Sequence, residues 1–201
     1  MAYEDEYLHP THVSADEALA RLKQGNADYL ESHRNHGDIS PERIEELFHE
    51  GQAPFATVIA CADSRVVPEH IFMTGLGELF TIRVAGNIMG SMVVASSLYA
   101  CEHLNTKLLV VLGHTHCGAI ESAMQYRSAS FTKGALVPLL KMVAASIGDA
   151  TDPREAAVAN INAGVAALKS VPEIAHLVET ANLRIVPALY HTHSGEVEFL
   201  S

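Results

Sequence analysis

Basic side chains are scarce in this chain. Thirteen Lys and Arg stand against 24 Asp and Glu in 201 residues, a formal net charge of −11 with His neutral. That balance opposes contact with phosphate backbones, so nucleic acid is not an expected partner. Long apolar runs are missing as well. Nothing approaches the roughly 18 residues of a membrane-span candidate, and the stretch 90–100 is too short and rich in Ser and Ala. No membrane partner is expected. Cysteine is limited to Cys61, Cys101 and Cys117. An odd count with no other disulfide signature fits reduced thiols. The opening Met1-Ala-Tyr-Glu-Asp-Glu6 is acidic, without a basic-then-apolar leader, and a cytoplasmic location is the expectation. No glycine fingerprint opens a helix, which excludes a nucleotide site of that kind. Internal repeats and low-complexity linkers are also absent.

What remains is an ordinary globular composition, 48% hydrophobic and 18% charged. The length suits one domain over 1–201, with an N-terminal arm and helix over 1–34. The first twelve residues are polar and read as an arm. Ser14-Ala-Asp-Glu17 is a capping box opening a helix over 15–32. Ser40-Pro41 pairs an N-cap with a first-turn proline and opens a short helix to 49. Strands then alternate with helices. Strands are expected at 56–60, 79–84 and 107–112, and helices at 67–74, 90–104, 117–126, 135–147, 153–169 and 172–181. A strand at 184–189 and a terminal one at 197–200 follow, and Ser128 to Lys133 reads as a flexible loop. This pattern predicts an α/β fold. A central, mainly parallel sheet has a four-stranded core and a C-terminal strand, helices on its flanks and an N-terminal helical arm.

Two short segments carry the chemistry. Cys61-Ala-Asp-Ser-Arg65 and His114-Thr-His-Cys117 each follow an apolar run, and Cys61 and His114 are 53 positions apart. In open parallel sheets, ligands bind outside the carboxyl ends of the strands. Two thiolates and an imidazole there make a natural zinc set, since Zn²⁺ accepts S and N ligands and prefers four-coordination. Asp63 or a water can fill the fourth position. Each residue taken alone has a plainer reading. Cys61 or Cys117 is a buried small hydrophobe, Asp63–Arg65 is a surface ion pair worth little, and His191 and His193 are solvated. His116 is expected to point away from the metal.

In Ala60-Cys-Ala-Asp-Ser-Arg-Val66, Gly77-Glu-Leu-Phe-Thr-Ile-Arg83, Ala85-Gly-Asn87 and Gly113-His-Thr-His-Cys-Gly-Ala119 the chain resembles the β-class carbonic anhydrases. The resemblance implies one Zn²⁺ per chain on Cys61, His114 and Cys117, and a catalytic pair Asp63 and Arg65. It places Gln52, Phe80, Tyr99 and Gly118 at the substrate, CO₂ or bicarbonate. It also implies a homodimer or higher oligomer, with Gln52 and Tyr99 at the subunit border. The bicarbonate-regulated members carry a tryptophan where this chain has Val58, and this chain has no Trp at all. The plant-type, open-site subgroup is therefore expected. The expected reaction is reversible hydration of CO₂. Hydrolysis of carbonyl sulfide or carbon disulfide is the rival on the same scaffold, and a structural zinc protein the rival from another class. The chain departs from common family patterns at Val84, Leu98, Met73 and Thr74, which bear on pocket shape.

Overall fold

The computed structural model describes residues 11–128 and 134–201, with nothing said of the side chains of 127 and 128. The expected arm before residue 11 and all but the first residue of the expected loop at 128–133 lie outside the described residues.

Helix α1 (Ala15–Ser32) and helix α2 (Pro41–Glu50) precede strand β1 (Ala56–Cys61). A short helix α3 (Pro68–Ile71) leads to β2 (Leu79–Val84), followed by a 3-10 turn at Ala85–Asn87 and α4 (Ser91–Glu102). Then come β3 (Leu108–His114), α5 (Gly118–Ser128), α6 (Val137–Ile147), α7 (Pro153–Lys169) and α8 (Pro172–Thr180). The chain closes with β4 (Arg184–Tyr190) and β5 (Val197–Phe199). The five strands lie in the order β2-β1-β3-β4-β5. The first four are parallel and β5 is antiparallel to β4, the mainly parallel sheet that the sequence pattern predicts.

The central strands β1 and β3 are buried along their whole length, as parallel strands covered on both faces must be. Successive side chains point to opposite faces, and two cores result. Ile59, Cys61, Leu109 and Val111 face a core with α5, α6, α7 and α8. Val58, Ala60, Val110 and Leu112 face the other, with Ala18 and Leu22 of α1 and Ile71 of α3. Cys61 thus emerges on the α5–α7 side of the sheet.

The two N-terminal helices part company. α1 belongs to the core rather than to an arm. Its buried Asn26 donates to the carbonyls of Ile71 (3.2 Å) and Gly195 (2.9 Å) and accepts from the Val197 amide (2.8 Å). α2 buries none of its residues, and Ile44 and Phe48 stand 56% and 74% exposed. Only half of the capping box forms. Ser14 Oγ accepts from the Glu17 amide at 3.2 Å, while the Glu17 carboxylate pairs with Arg21 one turn on.

Glu198 on β5 joins the C-terminal strand to α7. Arg154 Nη2 donates to both its carboxylate oxygens (2.7 and 3.0 Å). His191 Nε2 lies 3.2 Å from the same carboxylate, so that histidine is not the solvated one expected. The hydrogen bond from Arg154 comes first in holding the Glu198 carboxyl below its ordinary value. A carboxyl whose pKa falls on folding adds stability above its unfolded pKa of about 4.3 and loses it as pH drops toward the folded value. Glu198→Gln should therefore lower the melting temperature at pH 7 by the equivalent of no more than about 1 kcal/mol, the range for exposed pairs. Calorimetry should show that gap closing below about pH 4. A gap unchanged down to pH 2 would contradict the assignment.

Candidate metal centre

Cys61 is the last residue of β1 and His114 the last of β3, so both stand on the strand ends rather than just past them. The two strands are neighbours in the middle of the sheet. Cys117 closes the tight turn into α5 and comes back against them. Its sulfur lies 4.0 Å from that of Cys61. The two sulfurs and a ring nitrogen of His114 all fall within 4.8 Å of one another. Among the described residues this is the one such cluster of His, Cys, Asp and Glu. His114, Cys117 and Cys61 are only 0%, 3% and 4% exposed.

The protonation pattern suits a cation. His114 Nδ1 lies 2.9 Å from the Thr115 carbonyl. A carbonyl can only accept, so Nδ1 carries a hydrogen, and in the neutral ring Nε2 is then the nitrogen with the lone pair. Nε2 is buried with no hydrogen-bond partner. An orphaned acceptor of this kind, with its other nitrogen bonded to a carbonyl, is the usual state of a ligating histidine. The Cys61 thiol is pulled down, chiefly by its contact with Cys117 and in opposition to burial. Cys117 is pushed up by the same contact and by burial. Two buried thiols this close cannot both ionise without a positive charge between them. Zinc fits the spacing: two sulfurs at tetrahedral positions and about 2.3 Å from one ion stand roughly 3.8 Å apart.

Beside the donors, Asp63 and Arg65 make a two-pronged pair. Arg65 Nε donates to Oδ1 (3.0 Å) and Nη2 to Oδ2 (2.8 Å). The Arg65 amide adds a third bond to Oδ1 at 2.9 Å. Bidentate pairing of this sort fixes direction as well as charge. The Asp63 carboxyl lies well below the ordinary carboxylate range, above all because of the Arg65 side chain. It stays outside the cluster of metal donors.

A second guanidinium, which sequence reasoning passed over, holds the same loop. Arg83 Nε donates to the Cys61 carbonyl (3.1 Å) and Nη2 to the Asp63 carbonyl (2.6 Å). Arg65 Nη2 also reaches the His116 carbonyl at 3.0 Å, tying the two motif segments together. The His116 side chain itself is 75% exposed and takes no part in the cluster. It adopts a left-handed φ of 56°, as the tight turn between His114 and Cys117 requires.

Comparison with known proteins agrees with this geometry. The carbonic anhydrase family model matches residues 56–197. A carbonic anhydrase of Mycolicibacterium smegmatis is 32% identical over 191 residues, covering 92% of each chain. Carbonic anhydrase 2 of Mycobacterium tuberculosis is 42% identical over 107 residues, 53% of this chain. That match spans about half (51%) of the relative's own length. A solved chain, from structures of two tetrameric β-carbonic anhydrases of Sordaria macrospora, shares the fold, with a TM-score of 0.69, 27% identity and coverage of 91% of this chain and 96% of that one. The chain belongs to the β-class carbonic anhydrases.

In this β-carbonic anhydrase the Cys–His–Cys set is the zinc site. The remaining residues singled out from the sequence are not all gathered around it. Phe80 on β2 and Tyr99 on α4 approach each other, with ring centroids 6.0 Å apart. Tyr99 also packs on His103 at 5.1 Å. Gln52 is exposed in an isolated bridge before β1. Gly118 opens α5 with free space where a Cβ would point. Cys61→Ser and Cys117→Ser should each lose zinc strongly on gel filtration, as judged by metal analysis of the folded protein. Full retention of one zinc per chain in both variants would refute the ligand set.

Proposed function

We propose that this protein hydrates CO₂ reversibly to bicarbonate and a proton, with zinc held by Cys61, His114 and Cys117. One observation carries the reading. A buried, metal-ready donor set stands next to a carboxylate that Arg65 holds on both oxygens, away from the metal donors. A purely structural site has no use for such a neighbour. When bound, zinc supplies Lewis acidity that lowers the pKa of a coordinated water, the behaviour that carbonic anhydrases illustrate in general.

The chain's own residues supply the rest. Asp63 stays ionised at neutral pH and offers its carboxylate as a hydrogen-bond acceptor at the reacting centre. Arg65 aims it and stops it from swinging onto the metal. Arg83 holds the backbone from which Asp63 projects. The Gln52 side chain and the Gly118 amide position substrate oxygens, and Phe80 and Tyr99 give the uncharged substrate an apolar wall. Asp63 held in this way supports a reading of the protein as plant-type, with an open site. Gln52, Val58 and the lack of Trp support the same reading.

The working unit is a homodimer or a larger assembly of 1–201 domains. Gln52 lies on the surface of one chain. Among the described residues β2 is an edge strand of the sheet, α2 buries none of its residues, and Met92 on α4 is 76% exposed. Exposed apolar side chains such as Ile44, Phe48 and Met92 suit cover by a second copy of the chain. The tetrameric Sordaria macrospora relatives support the same view. The thiols are free, which accords with a reducing, cytoplasmic setting.

Stopped-flow measurement of CO₂ hydration by the zinc-loaded protein tests the activity. Turnover of carbonyl sulfide with none of CO₂ would reassign the site to the analogue. Asp63→Asn should keep its zinc and lose about 100-fold or more of turnover, in line with loss of a positioned proton acceptor. A near-wild-type rate across pH 7 to 9 would rule out that role. Light scattering alongside the rate should find no active monomer. A fully active monomer would remove the partner from the account.

A further inference from the structure

The metal centre has a further support, from the turn after β2. The Gly86 amide donates to the Cys61 sulfur, N to Sγ 3.2 Å, in a buried contact. Gly86 lies in the 3-10 turn after β2 with φ +67°. A Cβ there would come within 3.1 Å of the Ala119 Cβ and 3.3 Å of Val143 Cγ2. Both the backbone conformation and the lack of space call for glycine. The Gly86 carbonyl accepts from Asn160 Nδ2 on α7, at 2.9 Å and 74 residues away. Because a carbonyl only accepts, that contact settles which end of the carboxamide faces the turn. Asn160 Oδ1 lies 2.5 Å from the Ser146 hydroxyl on α6, whose one hydrogen is shared between that oxygen and the Val143 carbonyl at 2.8 Å.

Asn160 is only 3% exposed, within the apolar interface of α6, α7 and the sheet. An apolar side chain of similar size would avoid the desolvation of a carboxamide. The amide is matched to one task, holding the Gly86 peptide with its carbonyl toward α7 and its N–H toward Cys61. We infer that Asn160 is a positioning residue for the metal ligand Cys61, acting through the Gly86 peptide, and that Ser146 orients Asn160. The inference rests on zinc at Cys61, His114 and Cys117. The N–H···S bond stabilises the thiolate lone pairs and fixes the direction of the sulfur. Helices α6 and α7, remote in sequence from the ligands, thereby set the strength of the metal site.

Three variants of the full-length protein test this: Asn160→Leu, Ser146→Ala and Ile161→Val. The last trims the neighbouring α7 core residue and touches none of these hydrogen bonds. Zinc affinity is read by chelator competition, and the sulfur-to-cobalt charge-transfer band is read after substitution with Co²⁺. Loss of partners one step beyond the ligands weakens metal binding by about 10- to 100-fold. Asn160 stands one step further out, behind the Gly86 peptide, so Asn160→Leu should bind zinc about 10-fold more weakly, the low end of that range. Its charge-transfer band should move to longer wavelength, because a thiolate whose N–H donor is less well held gives up charge more readily. Ser146→Ala should move both readings in the same direction and less far. Ile161→Val should lower the melting temperature and leave both readings in place. Wild-type affinity with an unmoved band in Asn160→Leu would overturn the inference. So would equal changes in Ile161→Val, which would make the effect one of packing. If Asn160→Leu does not fold, Ser146→Ala decides, and an unmoved band and affinity there overturn it. A wild-type protein that binds neither Zn²⁺ nor Co²⁺ would bring down the metal centre itself, and the inference with it.

Discussion

Two sulfurs 4.0 Å apart in a buried pocket are the constraint around which the rest is arranged. Without a cation, ionising one thiol raises the cost of ionising the other, as the opposite shifts of Cys61 and Cys117 record. With a divalent cation the same crowding becomes the attraction that closes the site. The sheet makes this geometry cheap to hold. β1 and β3 are adjacent, fully buried strands, so Cys61 and His114 have fixed backbones before any metal arrives. Only Cys117 depends on a turn, and that turn uses a left-handed residue, His116, to bring its sulfur back.

Positive charge near the centre is distributed with some care. The chain carries a formal net charge of −11, yet two of its 13 basic residues are committed to the short loop after β1. Arg65 holds the Asp63 carboxylate and the His116 carbonyl. Arg83 holds the carbonyls of Cys61 and Asp63. Charge-assisted bonds of this type are stronger and more directional than neutral ones. They let a loop with little hydrophobic anchoring of its own keep a carboxylate at a set distance from the donors. The Cys61 sulfur is held in another way, by the uncharged chain from Ser146 through Asn160 and Gly86.

Much of this was legible in the sequence. Cys61 and His114 stand at the ends of apolar runs with Cys117 three positions beyond, and the alternation of strands and helices points to the parallel sheet. Pro153 and Pro172 in the first turns mark the starts of α7 and α8, whose bounds are legible to within a residue. What escaped reading depended on contacts that sequence distance conceals. Asn160 is a single polar residue inside an otherwise apolar helix face, and its partner is 74 positions away. Gly86 reads as a turn former, and nothing local shows that its amide meets a sulfur. Arg83 lies on an edge strand, where an exposed cation is ordinary, and its two acceptors are backbone carbonyls without side-chain identity. α1 was read as part of an arm because amphipathic helices look alike whether they cover a core or a neighbour. Its burial was settled by Asn26, whose partners come from α3 and the C-terminal turn.

The central claim is that three protein donors hold the metal while Arg65 keeps Asp63 off the fourth position. A crystal structure of the zinc-loaded protein near neutral pH tests it most directly. The account predicts zinc on Cys61, His114 and Cys117 with solvent in the fourth place and Asp63 still paired with Arg65. Zinc bound by the Asp63 carboxylate, with the Arg65 pair broken, would contradict it.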